Sequence, residues 1–209
     1  MVKIMGSVQK IGILGGSFDP IHYGHLNLAL ELLEKENLTE VWFVPAKINP
    51  HKVDYPPASF EHRCAMINCA IEKIPYFHLK DFEKKLPTPS YTFDMLKTLI
   101  AQNENQNKSM RFYLLMGEDT LTRFAQWRNP EGIVALLPLL IGTRSMKTKE
   151  FPNDLSNVLQ SAIKSGLIKT KLMDIASSDI RARLKQKLFC GHLTAEAVLD
   201  YIHKNDLYR

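Results

Sequence analysis

Short apolar runs alternate with stretches of helical periodicity along nearly the whole chain, a pattern that predicts an α/β fold with a parallel sheet covered on both faces. Ile11 to Leu14 reads as a buried strand ending at Gly15-Gly16, followed by a helix from about Gly24 to Glu36 with Leu26, Leu30 and Leu33 at helical spacing. Val41 to Val44 is a second strand, stopped by Pro45, and Ser59 to Ile74 a helix with Met66, Ala70 and Ile74 along one face. Phe77 to Phe82 reads as a short strand, Thr92 to Gln102 as a helix and Arg111 to Met116 as a strand. Helices at Glu118 to Phe124 and Glu131 to Leu137 precede a strand at Leu139 to Gly142. Ile168 to Met173 is the last strand, followed by helices at about Ser178 to Leu188 and Thr194 to Asn205. Pro45 to Pro57 and Gln102 to Ser109 read as surface loops. The expectation is one Rossmann-like, doubly wound domain over residues 10–209, with about 5–6 strands, a small C-terminal helical part and ligands at the carboxyl ends of the strands. Residues 1–9 form a short N-terminal extension.

Composition narrows this little. With 209 residues, 45% hydrophobic and 23% charged, the chain is not disordered, collagen-like or coiled coil. A chain of this size buries roughly 70–75% of its unfolded surface without disulfides or a structural metal. Cys64, Cys69 and Cys190 contain no C-x-x-C pair, which favours a reducing compartment. The longest apolar run, Ile133 to Ile141, contains Pro138 and falls far short of the ~20 residues that span a bilayer. No signal-peptide core is present either, so a cytoplasmic protein without membrane attachment is expected. Net charge is +5, and the whole excess lies from Arg144 onward. That suits either an anionic partner or a solvated helix face.

The densest chemistry is Gly15-Gly16-Ser17-Phe18-Asp19-Pro20-Ile21-His22-Tyr23-Gly24-His25, between the first strand and the first helix. Glycines after a strand let backbone approach a ligand closely, and exposed N–H groups at the following helix start suit a phosphate. The spacing is neither G-x-G-x-x-G nor a Walker loop, which disfavours a dehydrogenase or a Walker-type NTPase. His22 and His25, three apart, project from neighbouring points of a first helical turn. A phosphate there favours their protonated, donating forms. Plainer readings are polar helix-start residues, a satisfied core histidine or a zinc pair, for which no third ligand has a recognisable spacing.

This string resembles the nucleotidyltransferase superfamily signature G-[TS]-F-D-x-x-H-x-G-H. The resemblance implies that Gly15, Gly16, Ser17, Phe18, His22 and His25 cradle the phosphates of ATP. Ile175-Ala176-Ser177-Ser178-Asp179-Ile180-Arg181 resembles the superfamily's I-S-S-T-x-I-R, with Ala176 where a serine is common. Here Ser177 or Ser178 is expected to cap the next helix, and Arg181 to grip phosphate oxygens. By itself the segment reads as a helix cap with a basic solvated face. In order behind the first motif it reads as the second half of an ATP site, to which Ile175, Ser177 and Ser178 belong.

Pro89-Ser90-Tyr91-Thr92-Phe93-Asp94-Met95-Leu96, then Gly117-Glu118-Asp119-Thr120-Leu121 with Phe124 and Trp127, and the stretch Tyr201-Ile202 to Leu207-Tyr208-Arg209 resemble the bacterial nicotinate mononucleotide adenylyltransferases. The resemblance spans about residues 10–209. It implies adenylyl transfer from ATP to the 5′-phosphate of nicotinate mononucleotide, with Mg²⁺ carried on the triphosphate and no resident metal. Trp127 offers a stacking face to the pyridine ring, and Tyr91 and Thr92 open a helix whose N–H groups suit its carboxylate. Lys52 and Arg144 match mononucleotide-side basic residues, and Gly117 and Asp119 line the nucleotide site. Asn49 replaces the first proline of the family's P-P-H-[KR] loop. Alternatives are another phosphorylated acceptor, such as phosphopantetheine or nicotinamide mononucleotide, and a silent nucleotide-binding module. Nucleic-acid binding is disfavoured, since no aromatic-interleaved basic stretch occurs. Oligomeric state is not legible.

Overall fold

Six parallel strands carry the apolar runs: β1 (Gln9–Gly16), β2 (Glu40–Pro45), β3 (Phe77–Leu79), β4 (Met110–Gly117), β5 (Leu139–Thr143) and β6 (Leu167–Lys169). Their order in the sheet is β3-β2-β1-β4-β5-β6. The computed structural model describes residues 8–46, 58–82, 91–105, 109–144 and 155–209. Eight helices lie in these segments: α1 (Tyr23–Glu36), α2 (Phe60–Ile71), α3 (Thr92–Asn105), α4 (Glu118–Phe124), α5 (Pro130–Leu136), α6 (Asn157–Gly166), α7 (Ser177–Lys185) and α8 (Glu196–Lys204).

Alternation along each strand splits the core in two, because successive side chains leave a strand on opposite faces. On β4, Phe112, Leu114 and Met116 join one core, and Tyr113 and Leu115 the other. On β2 the same division sets Trp42 and Val44 against Val41 and Phe43. The first core is roofed by α3, α4, α5 and α6, the second by α1, α2 and α8. Each fully buried Leu, Ile or Phe contributes about 1.5–3 kcal/mol, so two filled cores rather than helix propensity hold the layers together. The fold is Rossmann-like, and its strand order reverses between β1 and β4, the position at whose carboxyl edge this architecture binds ligands.

Several expected boundaries shift, each for a visible reason. On α1 the buried stripe is Leu28, Ala29 and Leu32, while Leu26, Leu30 and Leu33 flank it half-buried. Helix α2 ends at Ile71, so Ile74 lies beyond it, and its buried stripe is Arg63, Met66, Ile67 and Ile71. Helix α3 runs to Asn105, past the expected loop start at Gln102. Strand β3 stops at Leu79, where its pairing with β2 ends. Strand β6 covers only Leu167–Lys169 because its sole sheet neighbour, β5, ends at Thr143, paired with Lys169. Helix α6 was not expected. Ser156 caps it through the Leu159 N–H, and Leu159 and Ile163 fill the first core.

Helices α1, α7 and α8 close alike: Leu38, Leu188 and Leu207 donate their N–H to the carbonyls of Leu33, Arg183 and Ile202. The residue before each, Asn37, Lys187 and Asp206, takes a left-handed conformation, with φ of 51°, 56° and 54°. These are helix-terminating turns of the kind glycine usually supplies. No described helix is long and apolar enough to cross a membrane.

Candidate active site at the β1/β4 edge

The loop from Gly15 to His22 leaves β1 at the point where the strand order reverses. Phe18 has φ 49°, rare for a bulky side chain, and Asp19-Pro20 is a cis peptide. The Phe18 ring folds back over Gly16, where an added Cβ would stand 3.0 Å from it, so a side chain at residue 16 would have to push the ring aside. On its other side the Phe18 ring meets the His25 imidazole edge-on, with centroids 4.9 Å apart. His25 in turn stacks on His22 at 3.7 Å. One column, Phe18-His25-His22, therefore stands at the start of α1, whose first turn carries no acidic residue to offset the positive end of its dipole.

The two histidines have different chemistry. The His22 backbone N–H donates to His25 Nδ1 at 3.3 Å. In the neutral ring this leaves the proton of His25 on Nε2, a donor directed away from the backbone. His22 is only 6% exposed, and burial pushes its pKa down to about 4. His22 is therefore neutral at neutral pH by itself, and a protonated pair is expected only where a phosphate offsets the burial. Its Nδ1 is buried without a hydrogen-bond partner, packed where a side chain on residue 24 would strike it at 3.0 Å.

Three consecutive carbonyls of this loop are met by donors from the far end of the chain. Arg181 Nη1 donates to Asp19 O at 2.7 Å, Ser177 Oγ to Pro20 O at 2.9 Å and Thr194 Oγ1 to Ile21 O at 2.8 Å. The Tyr23 N–H completes the set by donating to Leu193 O. The second motif thus holds the backbone of the first. This corrects the expected cap: residue 176 is the N-cap of α7, and being alanine it has no side chain to cap with, while Ser177 turns its hydroxyl to Pro20. The first turn of α7 consequently has no side-chain acceptor at its N-cap. Ser178 is exposed and bonds only weakly to Asp179, at 3.4 Å. Ile175 lies half-buried just before the cap.

Beneath the loop is a charged cluster that sequence reasoning missed. Asp19, 6% exposed, accepts at Oδ1 from the Ala58 N–H at 3.1 Å and the Tyr208 hydroxyl at 2.5 Å. Its Oδ2 lies 3.6 Å from Arg181 Nη1. Arg63, 2% exposed, donates to the carbonyls of Ser17 at 2.7 Å and Ala58 at 3.0 Å. The signal for Arg63 was its place on the apolar stripe of α2, where a charge is uncommon unless paired.

Gly117 ends β4 at the same edge of the sheet, paired with Gly142 of β5, and Asp119 follows, exposed, in the first turn of α4. A second group gathers on the side covered by α3, α4 and α5. Arg128 lies over the Tyr91 ring at 4.6 Å and bonds to Asp94 at 3.2 Å, at the start of α3 beside Thr92. Trp127, next to Arg128, is half-buried and meets Phe124 edge-on at 5.3 Å. Arg144, exposed after β5, pairs with Asp174 at 3.5 Å and so stands at the segment leading into α7. Lys52 and the loop around it lie outside the described residues.

Comparisons with known proteins bear on the family and the fold. The cytidylyltransferase-like family model matches residues 13–183. Among curated relatives, one from Carboxydothermus hydrogenoformans is 37% identical over 96% of this chain and 98% of its own. Another, from Bacillus cytotoxicus, is 36% identical over 96% and 99%. Both bear the name "Probable nicotinate-nucleotide adenylyltransferase". Among solved structures, Plasmodium falciparum nicotinic acid mononucleotide adenylyltransferase complexed with APC superposes with a TM-score of 0.72 at 25% identity, covering 96% of this chain and 97% of that one. The same enzyme complexed with NaAD gives 0.69 at 26% identity, with the same coverage.

Proposed function

The chain belongs to the nicotinate-nucleotide adenylyltransferases within the cytidylyltransferase-like family, and from that premise we propose that it adenylylates nicotinate mononucleotide. The 5′-phosphate of the mononucleotide attacks the α-phosphorus of ATP in line. The bond to the β-phosphate breaks, giving nicotinate adenine dinucleotide and pyrophosphate. The observation that carries this reading is the His22-His25 column at the uncompensated start of α1, with its loop backbone held by Ser177 and Arg181.

No general base is needed, because a phosphate monoester with second pKa ≈ 6 is largely ionised at neutral pH. The protein's part is positioning and charge stabilisation. Gly15, Gly16, Ser17 and Phe18 bring backbone close to the triphosphate, and Gly117, Asp119, Ile175, Ser177 and Ser178 border the nucleotide. His25 donates from Nε2, neutral His22 supports it by stacking, and Arg181 balances charge on the departing pyrophosphate. Mg²⁺ arrives with ATP as part of the substrate, and no side chain is assigned to it. Tyr91, Thr92, Trp127, Arg144 and Lys52 form the acceptor side, where first-turn amides of α3 favour a ring carboxylate over a carboxamide. The enzyme works as one domain over residues 10–209, in the cytoplasm, on small molecules rather than nucleic acid.

An acceptor panel tests this: ATP and Mg²⁺ with nicotinate mononucleotide, nicotinamide mononucleotide or phosphopantetheine, read as pyrophosphate released and dinucleotide formed. Nicotinate mononucleotide is expected to be the preferred acceptor. Product from phosphopantetheine alone overturns the assignment, and no product from any acceptor points to a silent nucleotide-binding module.

A further inference from the structure

We propose that Tyr208 is a positioning residue for adenylyl transfer, acting through Asp19 on Arg181 and the Gly15–His22 loop. This rests on the function proposed above. The chain returns to the site through the helix-terminating turn after α8, in which Asp206 and Leu207 donate to the carbonyls of His203 and Ile202. That turn delivers the Tyr208 hydroxyl to Asp19 Oδ1 at 2.5 Å, while the ring packs in the second core with Met66 Sδ 3.9 Å from the hydroxyl.

The consequence follows from counting donors on one carboxylate. Asp19 receives Tyr208 and the Ala58 N–H on Oδ1, and Arg181 on the side of Oδ2. With the phenol in place, part of the carboxylate's charge is taken up by a neutral donor, and burial with the neighbouring Asp19 charge pushes the phenol pKa so far up that it stays a donor. Removing the hydroxyl leaves Asp19, only 6% exposed, with one fewer donor. The remaining attraction then falls on the guanidinium, drawing Arg181 toward Asp19 and away from a triphosphate. Arg181 also holds the Asp19 carbonyl, so a shift of its guanidinium is passed directly to the loop backbone. Asp19 therefore serves the site as an anchor, with each carboxylate oxygen facing an internal donor.

A double-mutant cycle on the full chain tests the inference. Tyr208→Phe keeps the packed ring and removes only the hydroxyl, and it is expected to lower kcat roughly tenfold. The KM for nicotinate mononucleotide should stay near wild type, and affinity for a non-hydrolysable ATP analogue should fall. In an Arg181→Gln background the same change is expected to alter kcat by less than about twofold, because the group it positions is gone. A purely structural role for Tyr208 lowers thermal stability equally in both backgrounds and leaves kcat additive, which overturns the proposal, as does unchanged kcat in Tyr208→Phe. Asp19→Asn gives an independent arm: with the carboxylate neutralised, Tyr208→Phe should have no further effect on analogue binding, and an undiminished effect overturns the positioning role. If the wild type binds the analogue yet makes no dinucleotide, the acceptor assignment fails while the binding arm still reads the positioning role of Tyr208.

Discussion

His25 shows how much of this site is decided by one backbone hydrogen bond. By accepting the His22 N–H at Nδ1, the neutral ring is committed to a single donor, Nε2–H. His25→Ala is therefore expected to lower kcat by ~10²–10³-fold, the usual effect of losing one transition-state donor. Circular dichroism should remain that of the wild type, since His25 is at a half-exposed position. A folded variant with full activity excludes the role. Residue types at this scale were legible because motif order and spacing bring His22, His25 and Arg181 to one edge of the sheet. Their partners were not. Nothing in the string around Asp19 says that its oxygens go to Tyr208, Ala58 and Arg181, because those contacts span long sequence separations and depend on how three helices dock.

At the scale of elements, strongly alternating segments were readable almost to the residue. Helix α4 spans Glu118 to Phe124, as its flanking Gly117 and apolar spacing indicate. Edges and ends were less readable, since pairing partners set them: β6 stops where β5 does, and α7 starts one residue before Ser178 because Ala176 occupies the cap. Helix α6 carried a signal that apolar counting alone passes over, Ser156 at the cap followed by Leu159 and Ile163 four apart. The helix ends also yield a prediction. Lys187 holds φ 56° in the turn that closes α7, a conformation costing an L-residue about 1–2 kcal/mol that glycine does not incur. Lys187→Gly should stabilise the fold by about 1 kcal/mol, partly offset by glycine's greater unfolded-state entropy, raising Tm by about 2–4 °C. A lower Tm would show that the lysine side chain matters more than its backbone angle.

For the whole molecule, the buried neutral His22 makes stability depend on pH. Its folded pKa of about 4 lies below the ordinary 6.5, so the unfolded chain binds a proton that the folded one excludes. The stabilisation is complete above 6.5 and is lost as pH falls toward about 4, at which the folded ring also protonates. The shift corresponds to roughly 3 kcal/mol across that window. Denaturant unfolding of wild type against His22→Asn at a series of pH values should show the wild type losing that much more stability than the variant on acidification. A pH-independent difference between the two would mean that His22 is not the responsible group.

The three loop carbonyls held by Arg181, Ser177 and Thr194 also set an order of events during synthesis. The glycines of the first motif and both histidines leave the ribosome early, yet the donors that fix their backbone are translated more than a hundred residues later. A nascent chain can pair β1 with β2 and β4 long before it can shape the loop between β1 and α1. A chain that stops between the end of β4 and residue 177 carries the first motif without any of the three donors that hold its loop backbone.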